Sequence, residues 1–253
     1  MRRFLLWYLP AGAAIIAAMT FGAGFYSFLS GDTGKPVDFV PQRRSAATEV
    51  PGARIAPIIL GDSLARGAGD ESGLGIGGRL DAELKRRSIN ASRTINVGIN
   101  GARTGDLLRQ MESENVKRLI GEANVVIVSI GGNDLWGGND WRNAAPADAS
   151  SIMDGVLGRI GEVMKKVREA NPRARIFMIG LYNPFREGPG GPALSSLVAR
   201  WNGKLLERFS GDTNITIVQT SDLFSHRDRL ALDRFHPGEE GYAMIARRIA
   251  DGL

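Results

Sequence analysis

From Arg54 onward, short apolar runs alternate with longer amphipathic stretches. Ile55–Leu60, Thr94–Val97, Asn124–Ile130, Arg175–Ile179 and Ile215–Val218 read as strands, being apolar or β-branched runs too short for helices. Between them, apolar residues recur at helical spacing near 76–88, 104–120, 149–170 and 193–209, with a closing helix near 238–251. Strands that are apolar along their whole length must be covered on both faces. The alternation therefore predicts an α/β domain over 54–253, with a parallel sheet between helix layers.

Five such strands fit a flavodoxin-like, doubly wound order, which places a site at the carboxyl ends of the strands. Ahead of the domain, Phe4 to Leu29 carry no formal charge and follow Arg2 and Arg3. As helix this stretch rises about 39 Å, more than the hydrocarbon core of about 30 Å. A cleaved signal peptide is the competing reading, but its apolar core usually runs about 7–15 residues before a small-x-small site. Here the run is longer and no Ala-x-Ala follows, so 1–29 is expected to be an uncleaved signal anchor, a single transmembrane helix. The positive-inside rule then puts the remainder on the periplasmic or extracellular side, although Lys35, Arg43 and Arg44 on the other flank oppose that orientation. Residues 30–53, rich in Gly, Pro, Ser and Thr without apolar period, read as a flexible linker.

The absence of cysteine excludes disulfides, thiolate catalysis and cysteine–zinc sites. The net charge of +5 is spread thinly: from Arg54 on, 27 Lys and Arg face 24 Asp and Glu, interspersed along the chain. Clusters such as Lys85-Arg86-Arg87 belong to solvated helix faces, and no nucleic-acid partner is expected.

Three fragments carry the chemistry, and each falls at a site-forming edge of the sheet. Gly61-Asp62-Ser63-Leu64 follows the first strand, Gly131-Gly132-Asn133-Asp134 the third, and Asp233-Arg234-Phe235-His236 precedes the last helix. A serine hydroxyl is a weak nucleophile until a base takes its proton, and histidine oriented by a carboxylate is the usual base. Ser63 is the candidate nucleophile, His236 the base and Asp233 its orienter, with Pro237 opening the closing helix. His226 with Asp222 is the rival pair, read as a polar surface residue. Asn133 is the natural amide donor to an oxyanion, or else an Asx-turn residue in a Gly-rich loop. Gly101 either offers a backbone N–H to the substrate or serves a turn. Asp62 and Asp134 read as structural carboxylates.

These blocks, in this order, resemble the SGNH, or GDSL-type, hydrolase family, most closely its lysophospholipase and esterase branch. The resemblance covers 54–253 and implies a three-layer α/β/α fold. It also implies ester hydrolysis through an acyl-Ser63 intermediate, with the oxyanion held by the Ser63 N–H, the Gly101 N–H and the Asn133 side chain. No metal or organic cofactor is required. Leu135, Trp136, Trp141, Tyr182 and Phe185 are candidate walls of an acyl pocket, or simply pack the loops. A membrane tether favours acyl lipids or lysophospholipids as substrates. The alternatives are an O-acetyl esterase or acyltransferase acting on envelope glycans, and a non-catalytic binding protein on the same fold. Oligomeric state is not legible.

Overall fold

The computed structural model of the chain describes residues 2–29, 54–136, 146–188, 190–225 and 227–253. The expected linker over 30–53, Trp141 and His226 lie outside the described residues. The chain divides into two compact units, Met1–Thr48 and Glu49–Leu253.

The first unit contains helix α1 (Arg2–Leu29). Among the described residues, however, no helix is long and apolar enough to cross a membrane, so the expected transmembrane span is not found there. Among the residues of α1 are Gly12, Thr20, Gly22 and Gly24, which lower its apolar character. Along this stretch Ile16, Phe21 and Tyr26 are exposed.

The second unit alternates strand and helix. Its elements are β1 (Pro57–Gly61), α2 (Ser63–Arg66), α3 (Gly75–Arg86), β2 (Ile95–Asn96), α4 (Thr104–Gln110), α5 (Glu114–Glu122) and β3 (Val125–Ser129). There follow α6 (Gly132–Trp136), α7 (Pro146–Ala170), β4 (Arg175–Ile179), α8 (Gly191–Phe209), β5 (Ile215–Val218) and α9 (Glu239–Asp251). The five strands form one sheet in the order β2-β1-β3-β4-β5. Every pairing is parallel, with Ile58 beside Val126 and Val126 beside Ile176.

Period-two alternation along the strands sorts their side chains into two cores. Ile58, Leu60, Val126, Val128, Ile176 and Met178 pack with α4, α5, α7 and α8, through Leu107, Ile120, Ile160 and Trp201. Ile59, Ile127, Phe177 and Ile179 face the other way, onto Ile76, Leu80, Tyr242 and Ile245 of α3 and α9. The domain is thus a three-layer α/β/α sandwich. Each fully buried Ile, Leu or Val in these layers contributes about 1.5–3 kcal/mol relative to exposure, which is why β1 and β3 carry no polar side chain before Ser129.

Candidate active site

β1 stops where it must turn. At Gly61 the backbone adopts φ +132°, and a Cβ there would lie 1.8 Å from the Ser129 carbonyl oxygen. Only glycine lets the chain leave the sheet this close to β3. The Asp62 N–H then donates to that same carbonyl at 3.0 Å. Asp62 caps α2: its Oδ1 accepts from the Leu64 N–H and from the Ser129 hydroxyl, both at 3.1 Å. Burial pushes the Asp62 carboxyl up to about 6, against the opposing pull of those donors. Asp62 is therefore a structural cap, as expected. Ser63 is the first residue of the short helix, which ends at Gly67 with φ +96°. The loop after β2 fastens this helix from the side. Asn96 Nδ2 donates to the Ala65 carbonyl at 2.8 Å, and Gly98 lies so near that a Cβ would meet the Arg66 nitrogen at 2.8 Å.

The base and its orienter come from one tight turn. Asp233 Oδ1 accepts from the Phe235 and His236 N–H groups at 2.9 and 3.0 Å, and Arg234 takes φ +54° between them. The other oxygen, Oδ2, is 2.6 Å from His236 Nδ1, and His236 Nε2 is 2.8 Å from Ser63 Oγ. One carboxylate oxygen thus shapes the turn and the other binds the ring. With Nδ1–H donated to the carboxylate, Nε2 is left as the acceptor for the serine proton. Partial burial works to raise the Asp233 carboxyl, but the His236 ring and the two backbone N–H groups outweigh it and hold it below the ordinary value.

Two further contacts seat the turn. Tyr182 Oη donates to the Phe235 carbonyl at 2.7 Å, and the Phe235 ring stands edge-on to His236 at 4.9 Å. Gly69, with φ +88°, lets the loop after α2 approach, since a Cβ there would be 2.7 Å from His236 Cβ. Pro237 does not open the last helix as expected. It pairs with Leu230 in an antiparallel bridge, and α9 begins at Glu239 behind an extended Gly238. Asp222 is bound to Arg248 at 2.6 and 2.7 Å, which removes the carboxylate from the rival pair.

Asn133 stands on α6 and lines the same cavity as Ser63 and His236. Its Nδ2 donates to the Ala102 carbonyl at 3.0 Å. Gly101 sits in the turn closed by the Ala102 N–H to Ile99 carbonyl bond, with φ +76° and open space where a Cβ would be. Gly101 is not among the residues lining the cavity.

The cavity beside Ser63 measures about 510 Å³ including its open mouth. Tyr182 is among the residues that line it. Phe185 is not among the lining residues, and its ring centroid is 5.9 Å from that of Phe235. Leu135 is corrected: it is 3% exposed and packs in the core with α7 and α8, because α6 turns that side inward. The Trp136 side chain lies outside the described residues. The walls that sequence reasoning missed are Ile130, Ile179, Leu181, Pro184 and Phe235. Ile179 is the last residue of β4, and Ile130, Leu181 and Pro184 follow the carboxyl ends of β3 and β4, the place where doubly wound sheets bind ligands, so the topological rule alone could have found them.

The chain is similar in sequence or in fold to known proteins. The uncharacterized protein YpmR of Bacillus subtilis (strain 168) is 27% identical over 202 residues, covering 77% of this chain and 79% of its own. The lipase Lip_vut3 from a goat rumen metagenome superposes with a TM-score of 0.65 at 20% identity, over 78% of this chain and 96% of that one. A catalytic mutant of Axe2, an acetylxylan esterase from Geobacillus stearothermophilus, gives 0.58 at 20% identity, over 79% and 94%. At such identities the solved structures share the fold. The model of the GDSL-like lipase/acylhydrolase family matches residues 59–244, a span that holds Ser63, Asn133, Asp233 and His236, and the chain belongs to that family.

Proposed function

We propose that the protein, an ester hydrolase by family, cleaves acyl lipids or lysophospholipids through an acyl-Ser63 intermediate. The observation that carries the chemistry is the unbroken chain Asp233 Oδ2, His236 Nδ1, His236 Nε2, Ser63 Oγ, with links of 2.6 and 2.8 Å. His236 takes the proton as Ser63 Oγ adds to the ester carbonyl, and Asp233 stabilises the imidazolium. The tetrahedral oxyanion is received by the Ser63 and Gly101 N–H groups and by the second amide hydrogen of Asn133, the first being held by Ala102. His236 then protonates the departing alcohol, and water repeats the sequence to release the acid.

Support for an acyl chain comes from the apolar side chains beside the nucleophile, Leu64, Ile130, Ile179, Leu181 and Pro184. The exposed apolar residues of α1 support attachment of the protein to a membrane through 1–29, with the catalytic domain on the periplasmic or extracellular side.

The test is turnover of p-nitrophenyl esters from acetyl to palmitoyl by the full chain in detergent, beside its Ser63→Ala variant. Turnover and fluorophosphonate labelling lost in the variant are the expected result, with rates rising toward longer chains. A preference for acetate would replace the lipid reading with that of an O-acetyl esterase. A folded protein with no turnover and no labelling would remove the hydrolase mechanism altogether. Membrane fractionation and protease protection of the full chain test the location.

A further inference from the structure

Outside the triad, a polar cluster at the catalytic edge is built on Asp134. Its side chain is 6% exposed. Oδ2 accepts from the backbone N–H of Thr104 at 2.9 Å, and Oδ1 from the Thr104 hydroxyl at 2.6 Å. Arg159 reaches over from α7 and grips both partners: Nε donates to Thr104 Oγ1 at 2.7 Å and Nη2 to Asp134 Oδ1 at 3.1 Å. Thr104, the first residue of α4, is completely buried.

The position of this cluster gives it a meaning beyond packing. Thr104 ends the loop that carries Gly101, and Asp134 directly follows Asn133. The same two segments are joined a second time by the bond from Asn133 Nδ2 to the Ala102 carbonyl. Ala102, Arg103, Thr104, Asp134 and Asn133 therefore close a small ring through two cross-links. A single link between two loops leaves them free to hinge about it, whereas two links a few residues apart remove that rotation. We propose that Asp134, clamped by Thr104 and Arg159, is a positioning residue that sets the spacing of the two side-by-side oxyanion donors, Gly101 and Asn133. This rests on the oxyanion assignment made under the proposed function.

A carboxylate is needed at this position because every partner is a donor. Asparagine keeps one acceptor but turns an NH2 group toward Thr104 or Arg159, so one link must open. Thr104→Val removes the hydroxyl that Arg159 and Asp134 share, and Thr104→Ser retains it.

The experiment compares kcat, KM, the rate of fluorophosphonate labelling and urea stability for the full chain and its variants, on one p-nitrophenyl ester. Asn133→Ala is made first and is expected to lower kcat about 10²–10³-fold, as loss of an oxyanion donor does. Asp134→Asn is expected to lower kcat and labelling together by about 10–100-fold with KM nearly unchanged, the scale of a misplaced catalytic group. Thr104→Val should follow it and Thr104→Ser should restore activity. In the Asn133→Ala background, Asp134→Asn should cost much less than alone, since one of the groups it positions is gone. If Asp134→Asn does not fold, Arg159→Met takes its place, because that side chain is half exposed. Folded Asp134→Asn or Arg159→Met protein with kcat within about threefold of the parent, or with its loss confined to KM, overturns the positioning role. An Asn133→Ala variant with parental kcat overturns the oxyanion assignment itself, a result distinct from failure of the brace.

Discussion

Replacing Asp62 by asparagine should make the folded domain more stable, and increasingly so as pH rises. The carboxyl is buried beside the nucleophile and titrates near 6 in the folded chain, against 3.8 as its ordinary value. That difference corresponds to about 3 kcal/mol by which the folded state disfavours the charged carboxylate. The folded value is the higher one, so the folded state binds more protons between the two values. Stability therefore falls as pH rises from about 4 to about 6 and is flat on either side. Both donors of known geometry, the Leu64 N–H and the Ser129 hydroxyl, point at the single oxygen Oδ1. An asparagine that presents its oxygen there keeps both bonds and never charges. Relative to the parent, Asp62→Asn should gain about 3 kcal/mol between pH 4 and pH 7. In urea unfolding followed by tryptophan fluorescence, this is a midpoint difference that widens by about 1–2 M across that range. A difference that stays constant with pH, or one that widens against asparagine, would refute the reasoning and mean that the helix start holds Asp62 as a stabilised anion.

Leu135→Ala should destabilise the fold by about 2–5 kcal/mol, as for a buried leucine, while leaving the acyl-chain preference unchanged; denaturation midpoints and an ester series measure the two separately. Gly69→Ala places a Cβ 2.7 Å from His236 Cβ, so kcat should fall by more than the roughly 1–3 kcal/mol of backbone strain registers in stability. Asp233→Asn should reduce kcat by less than the roughly 10⁴-fold known for a fully buried triad aspartate, because the 47% exposed side chain lets water take over part of its task. A loss as large as that of Ser63→Ala would contradict this.

Strands were the most legible part of the fold, since a run such as Val125–Val128 has no polar face and can only be interior to a covered sheet. The order of the sheet and the placing of Ser63, Asn133 and His236 followed from it. Helix limits were less legible. The expected helix over 104–120 is two, because the chain turns at Met111–Ser113 and restarts behind Ser113, while Leu107, Met111, Val116 and Ile120 keep their inward spacing across the break. Helices α2 and α6 are too short to show any period. That is also why Leu135 was misread: in a five-residue helix, a leucine beside a catalytic asparagine gives no sign of which way it faces. Asp134 was recognised as a brace from its loop, but its partners Thr104 and Arg159 lie 30 and 25 residues away and are joined to it only by the fold.

The distance along the chain between Ser63 and His236 has a consequence for when the protein can act. The two are 173 residues apart, and the segment bearing His236 runs directly into α9, which docks on α3 with Arg79 paired to Glu239 at 3.0 Å and Arg87 to Asp251 at 2.6 Å. At a synthesis rate of about 5–20 residues per second, Ser63 leaves the ribosome roughly 9–35 s before its base. During that interval the nucleophile is an ordinary alcohol. A growing chain that lacks His236 carries no triad, and neither does any product broken off before Asp233. Ester cleavage thereby waits for the segment that bears His236, and its appearance during translation would time the docking of α9.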